Sequence, residues 1–219
     1  MSHTSHRLAG AAVAVFALAF PAAASANDHH ASCHGLRATI VGTSHRDHIV
    51  GTRHRDVIVA RAGNDVIDAR GGNDVICAGA GNDKVLARSG DDVVLGQSGD
   101  DVEQGAQGDD SLSGGEGDDT LEGGVGDDQE HGGAGDDVEH GDQGDDSLRG
   151  GEGDDDLQGG EGADEQHGDQ GDDTVGDDAN DIADDGEHHG GDSSGSSDSS
   201  GSGDSSGSGG DDGGSGGGD

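Results

Sequence analysis

Aromatic residues are almost missing from this chain: tryptophan and tyrosine do not occur, and the only two phenylalanines, Phe16 and Phe20, fall near its start. An ordinary hydrophobic core built around large rings is excluded for everything that follows. Bases are scarce as well. Ten Lys and Arg stand against 49 Asp and Glu in 219 residues, a formal net charge of -39 at pH 7. Such a polyanion repels nucleic acid and anionic membranes, repels itself and invites cations. Long apolar runs are limited to Leu8 through Phe20, too short to cross a bilayer, so no transmembrane segment is expected in the mature chain.

That one apolar run has a different reading. Arg7 precedes it, and Ala24-Ser25-Ala26 follows with the small-x-small pattern that signal peptidase cuts. Residues 1–26 are expected to be a secretory signal peptide, with the mature protein starting at Asn27 outside the cytoplasm. Charge is then unevenly distributed. Between Asn27 and Ser89 eight bases meet seven acids, whereas from Gly90 onward 42 acids meet one base, Arg149.

With 48 glycines added to that acid excess, the composition by itself describes a disordered chain. Order requires a strict repeat, and one is present. From Gly42 the chain divides into nine-residue units without a gap: GTSHRDHIV, GTRHRDVIV, ARAGNDVID, ARGGNDVIC, AGAGNDKVL, ARSGDDVVL, and so on through fourteen units to a clipped fifteenth, GDQGDDTV. Position six is Asp in all fifteen, from Asp47 to Asp173. Position four is Gly in thirteen, with His45 and His54 in the first two units, and position eight is Ile, Val or Leu in eleven. Gly176 to Asp184 keeps the phase and reads as a fraying end.

This pattern resembles the hemolysin-type (RTX) nonapeptide G-G-x-G-x-D-x-U-x, a calcium-binding repeat. The chemistry is consistent with it. Glycines at positions one, two and four permit positive φ and close approach, so the first six residues can coil with their carbonyls to one side. A hard cation such as Ca²⁺ takes six to eight oxygens from carbonyls and carboxylates, and Asp at position six supplies the carboxylate. The x-U-x segment suits a short strand with its middle side chain inward.

The resemblance implies an all-β fold, a right-handed parallel β-roll in which two nonapeptides make one coil. Units two apart then share an ion, so Asp65 stacks on Asp83 and Asp74 on Asp92. The expected calcium ligands are Asp65, Asp74, Asp83, Asp92, Asp101, Asp110, Asp119, Asp128, Asp137, Asp146, Asp155, Asp164 and Asp173. At about 4.8 Å between coils the carboxylates repel unless a cation lies between them, which makes Ca²⁺ a folding ligand.

Departures from the repeat are ordered. In units one and two His45-Arg46 and His54-Arg55 replace Gly-Asn or Gly-Asp; these units (residues 42–59) read as a calcium-free cap in which Arg46 or Arg55 offsets Asp47 or Asp56. Cys33 and Cys77 are expected to form a disulfide; a zinc site using them with His34 is the alternative. Position eight is polar at Glu103, Glu130, Glu139 and Gln166. Asp100 to His131 matches Asp136 to His167 at 23 of 32 positions, a four-unit duplication that carries Glu103 onto Glu139 and Glu130 onto Gln166. Burying such groups is costly, so this half is expected to be the looser one.

The domains expected are therefore a leader (1–26), an N-terminal segment (27–41), a repeat roll (42–184) and a disordered Gly/Ser/Asp tail (185–219). Gly191 to Gly195 and Gly203 to Gly207 match G-x-S-x-G, but no strand and helix flank them, so no nucleophile elbow is expected. Asp181 to Asp192 has Ala183 at the third loop position and lacks the closing Glu of an EF-hand. His131, His140 and His167 read as solvated. No catalytic residue and no enzyme activity are expected. The expected function is extracellular calcium binding coupled to folding; the alternative is a disordered polyanionic cation buffer.

Overall fold

The computed structural model describes residues 31–176 and 182–184. The expected leader and tail lie outside them. Every repeat contributes one strand, and from unit five through unit fourteen it is six residues long, as in Lys84–Ser89, Val93–Ser98 and Glu165–Gln170. Only positions four to six form the turn between strands. The strand is thus twice the expected length: positions one to three extend it and do not coil with the loop. The reason lies in the ladder. Once x-U-x pairs with the next coil, the following residues continue the same parallel hydrogen bonding up to the position-four glycine.

The strands of the roll pair in parallel at an offset of 18 residues, as in Val102 with Thr120 and Glu103 with Leu121, except that Glu165 pairs with Ile182, 17 residues on, after the clipped unit. Two nonapeptides therefore complete one coil. Alternate units build one sheet of nine strands, from Ile40–Val41 to Ile182–Asp184, and a second of eight, from His48–Val50 to Thr174–Gly176. No helix occurs among the described residues, and none there could cross a membrane.

Between the sheets lies a narrow interior, lined by positions eight and one. Ile49, Ile58, Ile67, Ile76, Val85 and Val94 fill it at the N-terminal end, together with the methyl groups of Ala60, Ala69, Ala78 and Ala87 at position one. From Gly96 onward position one is glycine, and Leu112, Leu121, Leu148 and Leu157 fill the interior from position eight. Glu103, Glu130, Glu139 and Gln166 occupy this same interior and are buried. Each inward Glu has apolar neighbours along its sheet: Glu103 lies between Val85 and Leu121, Glu130 between Leu112 and Leu148, Glu139 between Leu121 and Leu157.

Glycine does two separate jobs. At position four φ is strongly positive, +119° at Gly81, and a side chain there would strike the backbone of Gly63 one coil earlier. Position one does not have positive φ; what requires glycine there is space, described below. Position two is the other positive-φ site, and it tolerates Arg61, Arg70, Arg88, Gln97, Ala106, Asp142 and Asp169.

The N-terminal segment folds back as a two-stranded antiparallel ribbon, Ser32–Cys33 with Leu36–Arg37, before Ile40–Val41 opens the nine-stranded sheet. Cys33 is bonded to Cys77, with Cα atoms 5.7 Å apart. This bond uses both thiols and removes the zinc alternative. Around it Cys33 and Cys77 pack with Val57 and Val75, and Val59, Val93 and Leu95 flank them. These are positions seven and nine, so the ribbon covers the outer side of its sheet.

Candidate metal centre

Each turn ends on the position-six aspartate, whose side chain bends into the roll. Its Oδ1 accepts a hydrogen bond from the backbone N–H of the position-six aspartate one coil earlier: Asp65 N–H donates to Asp83 Oδ1 at 2.7 Å, Asp74 to Asp92 at 2.7 Å, Asp83 to Asp101 at 2.7 Å. The series continues to Asp146 on Asp164 at 2.8 Å and Asp155 on Asp173 at 3.0 Å. All thirteen aspartates expected as ligands therefore stand in two columns. One, from Asp65 to Asp173 in steps of eighteen, leads into the eight-stranded sheet; the other, from Asp74 to Asp164, leads into the nine-stranded sheet.

The second oxygen is the informative one. Oδ2 of Asp65, Asp74, Asp83, Asp92, Asp101, Asp110, Asp119, Asp128, Asp137, Asp146, Asp155 and Asp173 is buried and has no hydrogen-bond partner; Asp164 holds the equivalent place. Native interiors rarely leave even a few such atoms, so a row of them is a donor set that invites a cation. In the first two units the situation differs. Asp47 Oδ2 accepts from the Thr43 backbone N–H at 2.6 Å and hydroxyl at 3.0 Å, and Asp56 Oδ2 from the Thr52 N–H at 2.7 Å and hydroxyl at 2.9 Å. Threonine at position two completes these carboxylates with neutral donors. The arginines expected in that role, Arg46 and Arg55, form none of the hydrogen bonds that complete these oxygens.

Position one explains what surrounds the open oxygen. A methyl group placed on Gly105 would meet Asp110 Oδ2 and, at 2.8 Å, the carbonyl oxygen of Gly123; on Gly141 it would meet Asp146 Oδ2 and, at 2.7 Å, the Gly159 carbonyl. Carboxylate and carbonyl oxygens thus converge on the hollow left by the absent side chain. Hard cations favour this donor set.

Burial, and then the neighbouring carboxylates of the column, push the aspartates up: Asp83 to about 6, next to Asp65, and Asp92 to about 7, next to Asp74 and Asp91. Asp110, Asp119, Asp137 and Asp146 likewise reach about 7. The amide hydrogen bond opposes this only in part. These carboxyls therefore hold protons well above the usual range unless positive charge is brought to them.

Among the described residues no three His, Cys, Asp or Glu side chains form a ready metal cluster. A cation here would take single carboxylates and backbone oxygens, which a motif search for clustered side chains does not see. Sequence reasoning also passed over a second ladder. Position five stacks on the outside: Asp109 N–H donates to Asp91 Oδ1 at 3.4 Å, Asp118 to Asp100 at 3.3 Å, and Asn73 and Asn82 side-chain amides donate to Asp91 and Asp100. Its signal was present in the D-D pairs.

A parallel β-roll whose turns end on half-partnered buried aspartates belongs to the class of repeat solenoids with rows of acidic turns. The family model of the RTX calcium-binding nonapeptide repeat matches the chain in four copies, over residues 41–76, 78–103, 104–139 and 140–175. The chain belongs to that family. No curated protein matches it. The donor set fits calcium: the residues that would hold it are the position-six aspartates from Asp65 to Asp173 with carbonyl oxygens of position one.

Proposed function

We propose that this protein is a secreted calcium-binding β-roll in which the position-six aspartates from Asp65 to Asp173 are the ligands and binding drives folding. The observation that carries this reading is the contrast between the open Oδ2 atoms of Asp65 to Asp155 and of Asp173 and the threonine-completed carboxylates of Asp47 and Asp56. Calcium, when bound, supplies positive charge and electrophilic coordination to those oxygens. The chain itself does the rest: position four brings coils close, position one clears a hollow, and the Oδ1 hydrogen bonds fix the carboxylate plane. Binding energy is then folding energy, because the unfolded chain holds no such arrangement.

Secretion is supported by the leader pattern and by the Cys33–Cys77 bond, since disulfides persist in oxidising compartments. Far-ultraviolet circular dichroism of the mature chain, with and without millimolar CaCl₂, tests the reading. Strand signal should appear with calcium and not with an equal ionic strength of NaCl. A chain that stays unfolded while binding calcium is the disordered cation buffer and defeats the proposal.

A further inference from the structure

Three carboxylates inside the roll have no place in the repeat. Glu103 is fully buried, and neither of its oxygens has a hydrogen-bond partner. A leucine of similar volume fills the same position at Leu112, Leu121, Leu148 and Leu157, so packing alone does not call for an acid. Its location supplies the reason. A methyl group on Gly96 would lie within 2.8 Å of Asp101 Oδ2, the Gly114 carbonyl oxygen and Glu103 Oε1. In units with Leu at position eight the equivalent hollow offers one carboxylate and a carbonyl; here it offers a second carboxylate.

We infer that Glu103, Asp101 and the Gly114 carbonyl form an interior site for a divalent hard cation, stronger than the sites of the leucine units, that anchors the acidic half of the roll. The inference rests on the position-six column binding calcium. Asp119, next in that column, also faces Glu103 and brings further negative charge to it. Two coils on, Glu139 holds the corresponding position with one of its oxygens already completed. Glu139 Oε1 accepts from the Gly132 N–H at 2.5 Å, which places it at position one of its own unit, while its Oε2 is buried and unpartnered. Asp137 and Asp155 flank Glu139 as Asp101 and Asp119 flank Glu103. Two carboxylates and neutral oxygens around one divalent ion balance its charge and give the oxygen ligands calcium or a similar ion requires.

Substitution by leucine separates this role from a merely tolerated buried acid, because the two predict opposite signs. The proteins are the full mature chain, E103L and E103L/E139L, with E103Q keeping the shape without the charge. Bound calcium is counted by equilibrium dialysis, and the folding midpoint is read by circular dichroism. The inference predicts about one ion fewer for E103L and about two fewer for the double variant, with higher calcium midpoints in both and an intermediate shift in E103Q. Leucine variants that bind as many ions and fold at lower calcium would overturn it, because removing an unused buried carboxylate stabilises. Failure of the underlying calcium reading looks different: the unsubstituted chain itself would bind without folding or not bind at all.

Discussion

Asp83→Asn should change sign with calcium. Asparagine preserves the acceptor that receives the Asp65 N–H at 2.7 Å but removes the charge and leaves no anionic oxygen in place of Oδ2. Without calcium the wild-type carboxylate is a burden: burial and Asp65 push it up to about 6, so at neutral pH folding must hold an ill-solvated anion. The substitution should then stabilise the calcium-free chain. With calcium, a ligand is lost. A site saturated at a hundred times its dissociation constant stabilises a fold by about 2.7 kcal/mol, and most of that should disappear, with more where the ion is shared with the next coil. Asp47→Asn is the control, because its carboxylate is already met by Thr43; it should weaken the cap by a similar amount with or without calcium. Residual strand signal in EGTA and urea unfolding in CaCl₂ measure the two effects. If Asp83→Asn lowered both, or if Asp47→Asn shifted the calcium midpoint as far, the division between ligand and cap would be refuted.

Acid should substitute in part for calcium. Folded carboxyls raised to about 6 or 7 bind more protons than the unfolded chain, so calcium-free stability is greatest near and below pH 4 and is lost as pH rises through 6 to 7; strand signal in EGTA that instead grew with pH would contradict this. Thr52→Val should cost about 1–3 kcal/mol by stripping a donor from the buried Asp56, and thermal melts should show the same loss at every calcium concentration that folds the chain. Reducing Cys33–Cys77, 44 residues apart in sequence, should remove about 3–4 kcal/mol, felt mainly as faster hydrogen exchange in the N-terminal coils. As calcium rises, exchange protection should appear first near Asp65 to Leu95, where charge is nearly balanced and Ile67, Ile76, Val85 and Val94 fill the interior, and later across Asp101 to Asp173.

Much of the fold was legible because the nine-residue period fixes it. The recurring Asp of position six marks the turn, and the resemblance to the nonapeptide family implied two units per coil, as the pairing of Glu103 with Leu121 shows. Less legible were features set by three-dimensional closeness. The role of position one depends on an oxygen five residues ahead and a carbonyl eighteen residues ahead, which no local pattern reveals. Thr43 and Thr52 carry no charge to mark them, whereas Arg46 and Arg55, three residues on, drew attention by charge. Glu103 and Glu139 were visible as exceptions to the apolar position, but their shared hollow with Asp101 and Asp137 needed the packed roll. The antiparallel ribbon at Ser32–Cys33 lies outside the repeat and carried no periodic signal beyond its cysteine.

The central claim, that position six holds calcium from Asp65 onward and not in the cap, is tested most directly by anomalous scattering from crystals grown in CaCl₂. The account predicts calcium peaks in two rows along the position-six columns, each within about 2.3–2.6 Å of a carboxylate oxygen, with none beside Asp47 or Asp56. Peaks confined to the outer position-five ladder, or present equally at the two threonine-completed aspartates, would contradict it.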